Sequence, residues 1–133
     1  MKNETCKEYI GGHLKSRIED LQALYAAYLS SDEYTEDGES LDEYGLGFDY
    51  VPKGTFKNQR AGFFRYQLSF GGPSDEFRFY CDAKRNIYKV EYVFLDWFDG
   101  ATRTLRGGRE ELLINIFTDF FQSGKHLELN AAY

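Results

Sequence analysis

The stretch Phe63-Phe64-Arg65-Tyr66-Gln67-Leu68-Ser69-Phe70 decides the fold. Phe64, Tyr66, Leu68 and Phe70 alternate with Arg65, Gln67 and Ser69. A period of two is the signature of a half-buried strand. Gly71-Gly72-Pro73-Ser74-Asp75 follows as a turn cluster. Alternation then resumes, with Phe77, Phe79 and Cys81 set against Glu76, Arg78 and Tyr80. A second turn over residues 82–86 leads to Tyr88, Val90 and Tyr92, separated by Lys89 and Glu91.

Matching the apolar faces predicts an antiparallel meander. Phe70 opposes Phe77, Leu68 opposes Phe79 and Tyr66 opposes Cys81. In the second hairpin Cys81 opposes Tyr88, Phe79 opposes Val90 and Phe77 opposes Tyr92. The same register sets Arg78 across from Glu91 and Arg65 across from Asp82. A slip by one residue would invert every face. Beyond Tyr92 the run Val93-Phe94-Leu95 is continuously apolar, and Asp96 stands where a core residue is due. A β-bulge near residues 93–95 accounts for that change of phase.

Outward from the meander, residues 46–51 alternate weakly and read as a first strand, ended by Pro52 and Gly54. Residues 53–61 read as a loop carrying Lys53, Lys57 and Arg60, and residues 101–108 as a loop or short edge strand. Residues 4–30 form an amphipathic helix on Leu14, Ile18, Leu21, Tyr25 and Tyr28. Gly11-Gly12 costs roughly 2 kcal/mol in a helix interior, which places the main start near His13 after a short first piece. Residues 109–123 form a second helix with Leu112, Leu113, Ile116, Phe117, Phe120 and Phe121 on its apolar stripe, capped by Gly124. The expectation is an α+β fold: an N-terminal helix, an antiparallel meander of three to four strands and a C-terminal helix. Both helices pack on one face of the sheet.

The 133 residues make a single domain, 1–133, with a frayed tail over 125–133. Twelve Phe and eleven Tyr predict a core of packed rings. Cys6 and Cys81 stand in no disulfide or metal spacing, which suits reduced thiols in the cytoplasm. No apolar run approaches the ~20 residues of a membrane span, and residues 1–10 hold no apolar targeting segment.

The net charge of −6 is concentrated. Asp32, Glu33, Glu36, Asp37, Glu39, Asp42 and Glu43 fall within an acidic loop, residues 31–45, that has no Lys or Arg. Direct nucleic-acid binding is disfavoured, because phosphate contacts need clustered basic surface.

Few constellations carry chemistry. His13 and His126 are the two histidines and lie at opposite ends, so no metal-ligand spacing arises. Aligning Gly38 with the central glycine of a calcium loop puts Tyr44 where a bidentate Glu is required, which leaves only an irregular calcium site as an alternative. No phosphate loop, dinucleotide fingerprint or nucleophile elbow is present. The expectation is therefore no catalytic residue, no metal and no cofactor.

An alternative anion or small-molecule site consists of Asp96, Trp97, Asp99, Arg103 and Arg106. Its aspartates read more plainly as a strand-ending turn, and its arginines as a solvated loop or as partners of carboxylates. The acidic residues 32–43 are the first candidate for binding a basic protein partner; the plainer reading is a solvated loop.

Three stretches also carry a resemblance. These are residues 44–51 (Tyr-Gly-Leu-Gly-Phe-Asp-Tyr-Val), residues 62–80 and residues 94–100 (Phe-Leu-Asp-Trp-Phe-Asp-Gly). Together they resemble small uncharacterised proteins borne on bacterial plasmids and phages, over about half of the chain. The resemblance supplies no catalytic motif. It implies a mobile-element setting, in which small acidic proteins inhibit host defence nucleases of restriction and CRISPR systems. The leading expectation is a non-enzymatic inhibitor whose acidic surface blocks a basic, nucleic-acid-binding surface. Alternatives are the small-molecule or anion-binding domain, and an immunity or antitoxin protein for a basic toxin.

Overall fold

Helix α1 runs from Cys6 to Leu29 without a break at Gly11-Gly12 in the computed structural model, which describes residues 5–30, 34–96 and 99–122. The start expected near His13 is therefore seven residues late. Cys6 and Ile10 are buried before the glycines, and Thr5 caps the helix by accepting the Glu8 N–H at 3.4 Å. Burying an apolar side chain contributes about 1.5–3 kcal/mol, enough to offset the glycine cost. Gly124, His126, the tail over 125–133, Asp32, Glu33 and Trp97 lie outside the described residues.

The sheet has five strands, β1 (Gly47–Val51), β2 (Phe63–Ser69), β3 (Ser74–Cys81), β4 (Ile87–Asp96) and β5 (Asp99–Thr104), all antiparallel and in sequence order. This corrects the expected three or four strands. Residues 99–104, read as a turn and a loop or edge strand, pair along β4 from Asp96↔Asp99 to Glu91↔Thr104.

In the second hairpin Phe79↔Val90, Phe77↔Tyr92 and Arg78↔Glu91 stand as expected, whereas Cys81 pairs with Ile87 across a bulge at Tyr80/Cys81. The bulge expected at residues 93–95 does not form, because β4 pairs with β3 in unbroken register from Lys89 through Leu95. Alternation simply continues: Val93 and Leu95 lie on the face opposite Phe94.

In the first hairpin the register differs by four residues. Tyr66 opposes Phe77 and Phe64 opposes Phe79, with a bulge between Gln67 and Ser69. A shift of four keeps every side chain on its face, so alternation alone cannot detect it. The hairpin closes earlier because Ser69 and Asp75 bind each other. The Ser69 hydroxyl donates to Asp75 Oδ1 at 2.5 Å, and the Asp75 N–H donates to Ser69 Oγ at 3.1 Å. Phe70, expected in the core, is thereby left exposed in the loop, and Tyr88 is likewise exposed at the far end of β4.

Helix α3 covers Gly107–Ile116 and continues as a π-helical turn, Phe117–Phe121, where Gln122 N–H bonds the Phe117 carbonyl at 2.7 Å. The extra residue in that turn keeps two rings four positions apart over the sheet. Phe117 packs on Phe64 and Phe79, and Phe121 on Phe48 and Tyr66. Phe77, Phe79, Val90 and Tyr92 join Ile10, Leu14, Ile18, Leu21, Leu113 and Ile116 in one core cluster. The opposite sheet face carries a rung of charge, Asp49–Arg65–Arg78–Glu91, across four strands. Arg65 meets Arg78 there instead of Asp82. Asp49, accepting two bonds from Arg65 at 2.7 and 3.0 Å, offsets that like-charge contact.

Candidate functional site

The acidic segment is a built surface. Tyr34 and Ser40 form a β-bridge around a turn in which Gly38 takes φ +80°, a conformation that favours glycine. The short helix α2, Leu41–Tyr44, follows. Ser40 and Leu41 are buried, and the Ser40 hydroxyl donates to Glu43 Oε1 at 3.0 Å. Glu36, Asp37, Glu39, Asp42 and Glu43 are exposed, and none has a cationic partner among the described residues.

A polar chain through the core anchors this segment. The Tyr44 hydroxyl donates to Asp20 Oδ2 at 2.6 Å and accepts from Arg17 at 2.9 Å. Arg17 grips Asp75 through two bonds, at 2.7 and 3.0 Å. Asp75 also accepts from the Ser69 hydroxyl and, at 2.5 Å, from the Tyr92 hydroxyl. Burial pushes the Tyr44 hydroxyl up to about 12, reinforced by Asp20. It likewise raises Tyr92, as does Asp75. The Asp75 carboxylate has its four acceptor positions filled by protein donors, so this network holds the fold and leaves no lone pair for a substrate.

Beside α2 lies a cavity of about 280 Å³ lined by Tyr28, Tyr34, Asp42, Glu43 and Phe120, among others. A smaller one, about 180 Å³, is lined by Asp42, Phe48, Tyr66 and Phe121 among others. Tyr66 has a buried hydroxyl with no hydrogen-bond partner among the described residues. Burial raises its pKa. Rings beside carboxylates suit an organic cation.

Of the alternative site, Asp96, Asp99, Arg103 and Arg106 lie among the described residues, along or just after the β4–β5 hairpin. Asp99 Oδ2 accepts the Cys6 N–H at 2.7 Å and Oδ1 accepts the Gly100 N–H at 2.9 Å, so this residue ties the start of α1 to β5. The Cys6 N–H bond holds its carboxyl below the usual range, aided by Gly100. Asp96 faces Asp99 across the β4–β5 pair. Arg103 and Arg106 are exposed, with Leu105 buried between them and bonded to Val90.

A cavity of about 520 Å³ lies on the other sheet face under the loop over residues 52–62. Its lining includes Lys57, Arg60, Arg78 and Lys89 together with Phe56, Phe63 and Tyr80. Sequence reasoning saw Lys57 and Arg60 as loop residues and Arg78, Tyr80 and Lys89 as a polar face. Their juxtaposition depends on how the loop folds back, which alternation does not encode.

Among the described residues no group of three or more His, Cys, Asp or Glu could hold a metal ion, and no helix is long and apolar enough to cross a membrane. No protein-family model, curated protein or solved structure matches the chain.

Proposed function

We propose that the chain is a protein-binding domain that docks a basic partner through the acidic segment. One lysine or arginine of that partner enters the cavity between Tyr28, Tyr34 and Phe120 and meets Asp42 and Glu43. The observation that carries this reading is the joining of three rings and two carboxylates in one 280 Å³ cavity. Cation–π attraction and a carboxylate together recognise such a side chain, and the surrounding carboxylates steer its approach. Anchoring through Tyr44 and Leu41 lowers the ordering cost of binding.

The resemblance noted above supports a finer version: an inhibitor from a mobile element that covers the nucleic-acid-binding surface of a host defence nuclease in the cytoplasm. Such a surface is basic by necessity, and carboxylates on a fixed scaffold compete with phosphates for it. An immunity or antitoxin protein facing a basic toxin would use the same contacts.

Affinity capture from a plasmid-bearing bacterial host tests the reading. The wild-type chain retains a basic partner, and the Asp37→Lys, Glu39→Lys, Asp42→Lys, Glu43→Lys quadruple variant releases it. The Asn/Gln counterpart, which removes charge without reversing it, gives intermediate retention. Equal retention by all three chains would refute the acidic docking surface. The identity of the captured protein, nuclease or toxin, separates the two finer versions.

A further inference from the structure

The sheet face away from α1 and α3 carries a further cavity of opposite character, about 520 Å³ in volume, well within the range of small-ligand sites, ~300–1,000 Å³. Four cationic side chains line it against one carboxylate, Glu91. Two of the four are engaged locally: Arg78 Nε donates to Glu76 at 2.7 Å, and Lys89 Nζ lies 3.8 Å from Glu91. Lys57 and Arg60 have no ion pair among the described residues. Two uncompensated cations match the roughly −1.5 to −2 charge of a phosphate monoester at pH 7.

The remaining wall is planar. Phe56 and Phe63 lie nearly parallel, with centroids 6.4 Å apart. The Arg78 guanidinium sits 4.5 Å from the Phe63 ring centre and 5.6 Å from that of Phe56. Phe56 keeps part of its surface exposed, and Asn58 adds an amide to the lining. Rings and guanidinium planes are the surfaces on which nucleobases stack, and an amide can read a base edge.

The loop is also wired in place. Gln59 accepts the Phe56 N–H at 3.0 Å and donates to the Ala61 carbonyl at 2.8 Å, while Gly54 N–H bonds the Gln59 carbonyl at 3.1 Å. A preformed site loses less on binding.

We infer that this cavity binds a nucleoside monophosphate, its base against Phe56 and Arg78 and its phosphate between Lys57 and Arg60. Four cationic side chains suffice for a single phosphate, whereas a strand needs a basic surface that continues past them.

Isothermal titration calorimetry of the full chain at low salt tests the inference, with AMP, UMP, adenosine, inorganic phosphate and a ten-nucleotide oligo-dT as probes. AMP or UMP binds, and adenosine and phosphate bind at least about tenfold more weakly. Lys57→Ser with Arg60→Ser, and separately Phe56→Ala, each lower nucleotide affinity by about tenfold or more. Lys57 and Arg60 are exposed and in no ion pair among the described residues, so the melting midpoint of the double variant stays at the wild-type value. Failure of both nucleotides to bind, or binding that survives the double substitution, overturns the inference. Tighter binding of the oligonucleotide than of either mononucleotide overturns the assignment to a free nucleotide.

Discussion

Arg17→Met removes the cation that balances Asp75 and leaves a carboxylate that is 4% exposed among core rings. Breaking one side of a buried pair costs about 3–5 kcal/mol. The Arg17 side chain is 25% exposed, so water relieves part of the loss and the lower end, about 3 kcal/mol, applies. An unfolding entropy of about 2.1 cal/mol/K per residue gives about 0.28 kcal/mol/K for 133 residues, hence a fall in melting midpoint of about 11 °C at pH 7. The effect has a pH signature. Burial tends to raise the Asp75 carboxyl, but the bonds from Arg17, Ser69 and Tyr92 and the Arg17 charge outweigh it and hold the group below its ordinary 3.8. A folded value below the unfolded one contributes stability that is present above the unfolded value of about 3.9 and is lost as pH falls through the folded value. Without Arg17, burial gains weight, and protonation of Asp75 then relieves the variant instead of harming it. The gap between wild type and variant is therefore widest at pH 7 and narrows on acidification towards pH 4. Thermal unfolding followed by circular dichroism at several pH values measures it, with Arg17→Lys as a partial rescue. A drop under about 2 °C, or a gap that does not change with pH, would refute the assignment of Arg17 as the charge partner.

Two further outcomes follow from the core. Gly45→Ala places a methyl 2.2 Å from the buried Tyr66 ring, which must shift to admit it, and costs about 1–3 kcal/mol in chemical denaturation; Gly47→Ala meets open space and stays within about 0.5 kcal/mol of wild type. The Cys81 thiol, pushed up to about 11 by burial and then by Asp82, reacts with a thiol reagent at pH 7.5 about a hundredfold more slowly than free cysteine until the chain is unfolded; labelling at the free-cysteine rate would contradict its packing.

Residue types fixed the faces of the strands, because alternation is a local property. Phe64, Tyr66, Phe77, Phe79, Val90 and Tyr92 are buried on one side, as their period demands. The β2–β3 register was not legible, since pairings four residues apart bury the same rings and the choice falls to Ser69 and Asp75. The fate of Gly11-Gly12 was hidden for a similar reason: propensity is a local penalty, and burial of Cys6 and Ile10 against distant strands overrides it. For the sites, charge segregation in the acidic segment was visible from composition. The rings beside Asp42 were not, because Tyr28 and Phe120 come from helical segments far apart in sequence. The basic cavity was hidden likewise, as it joins a loop to three strands.

The bond from the Cys6 N–H to Asp99 spans 93 residues, and it has a consequence for the newborn chain. At about 5–20 residues per second, some 5–20 s of translation separate the emergence of α1 from that of the strand that caps it. Each β-hairpin, by contrast, pairs with its immediate predecessor as it leaves the ribosome. During that interval β2, β3 and β4 are already made and offer the α1 stripe its rings, while the first turn of the helix still lacks the carboxylate that accepts the Cys6 N–H.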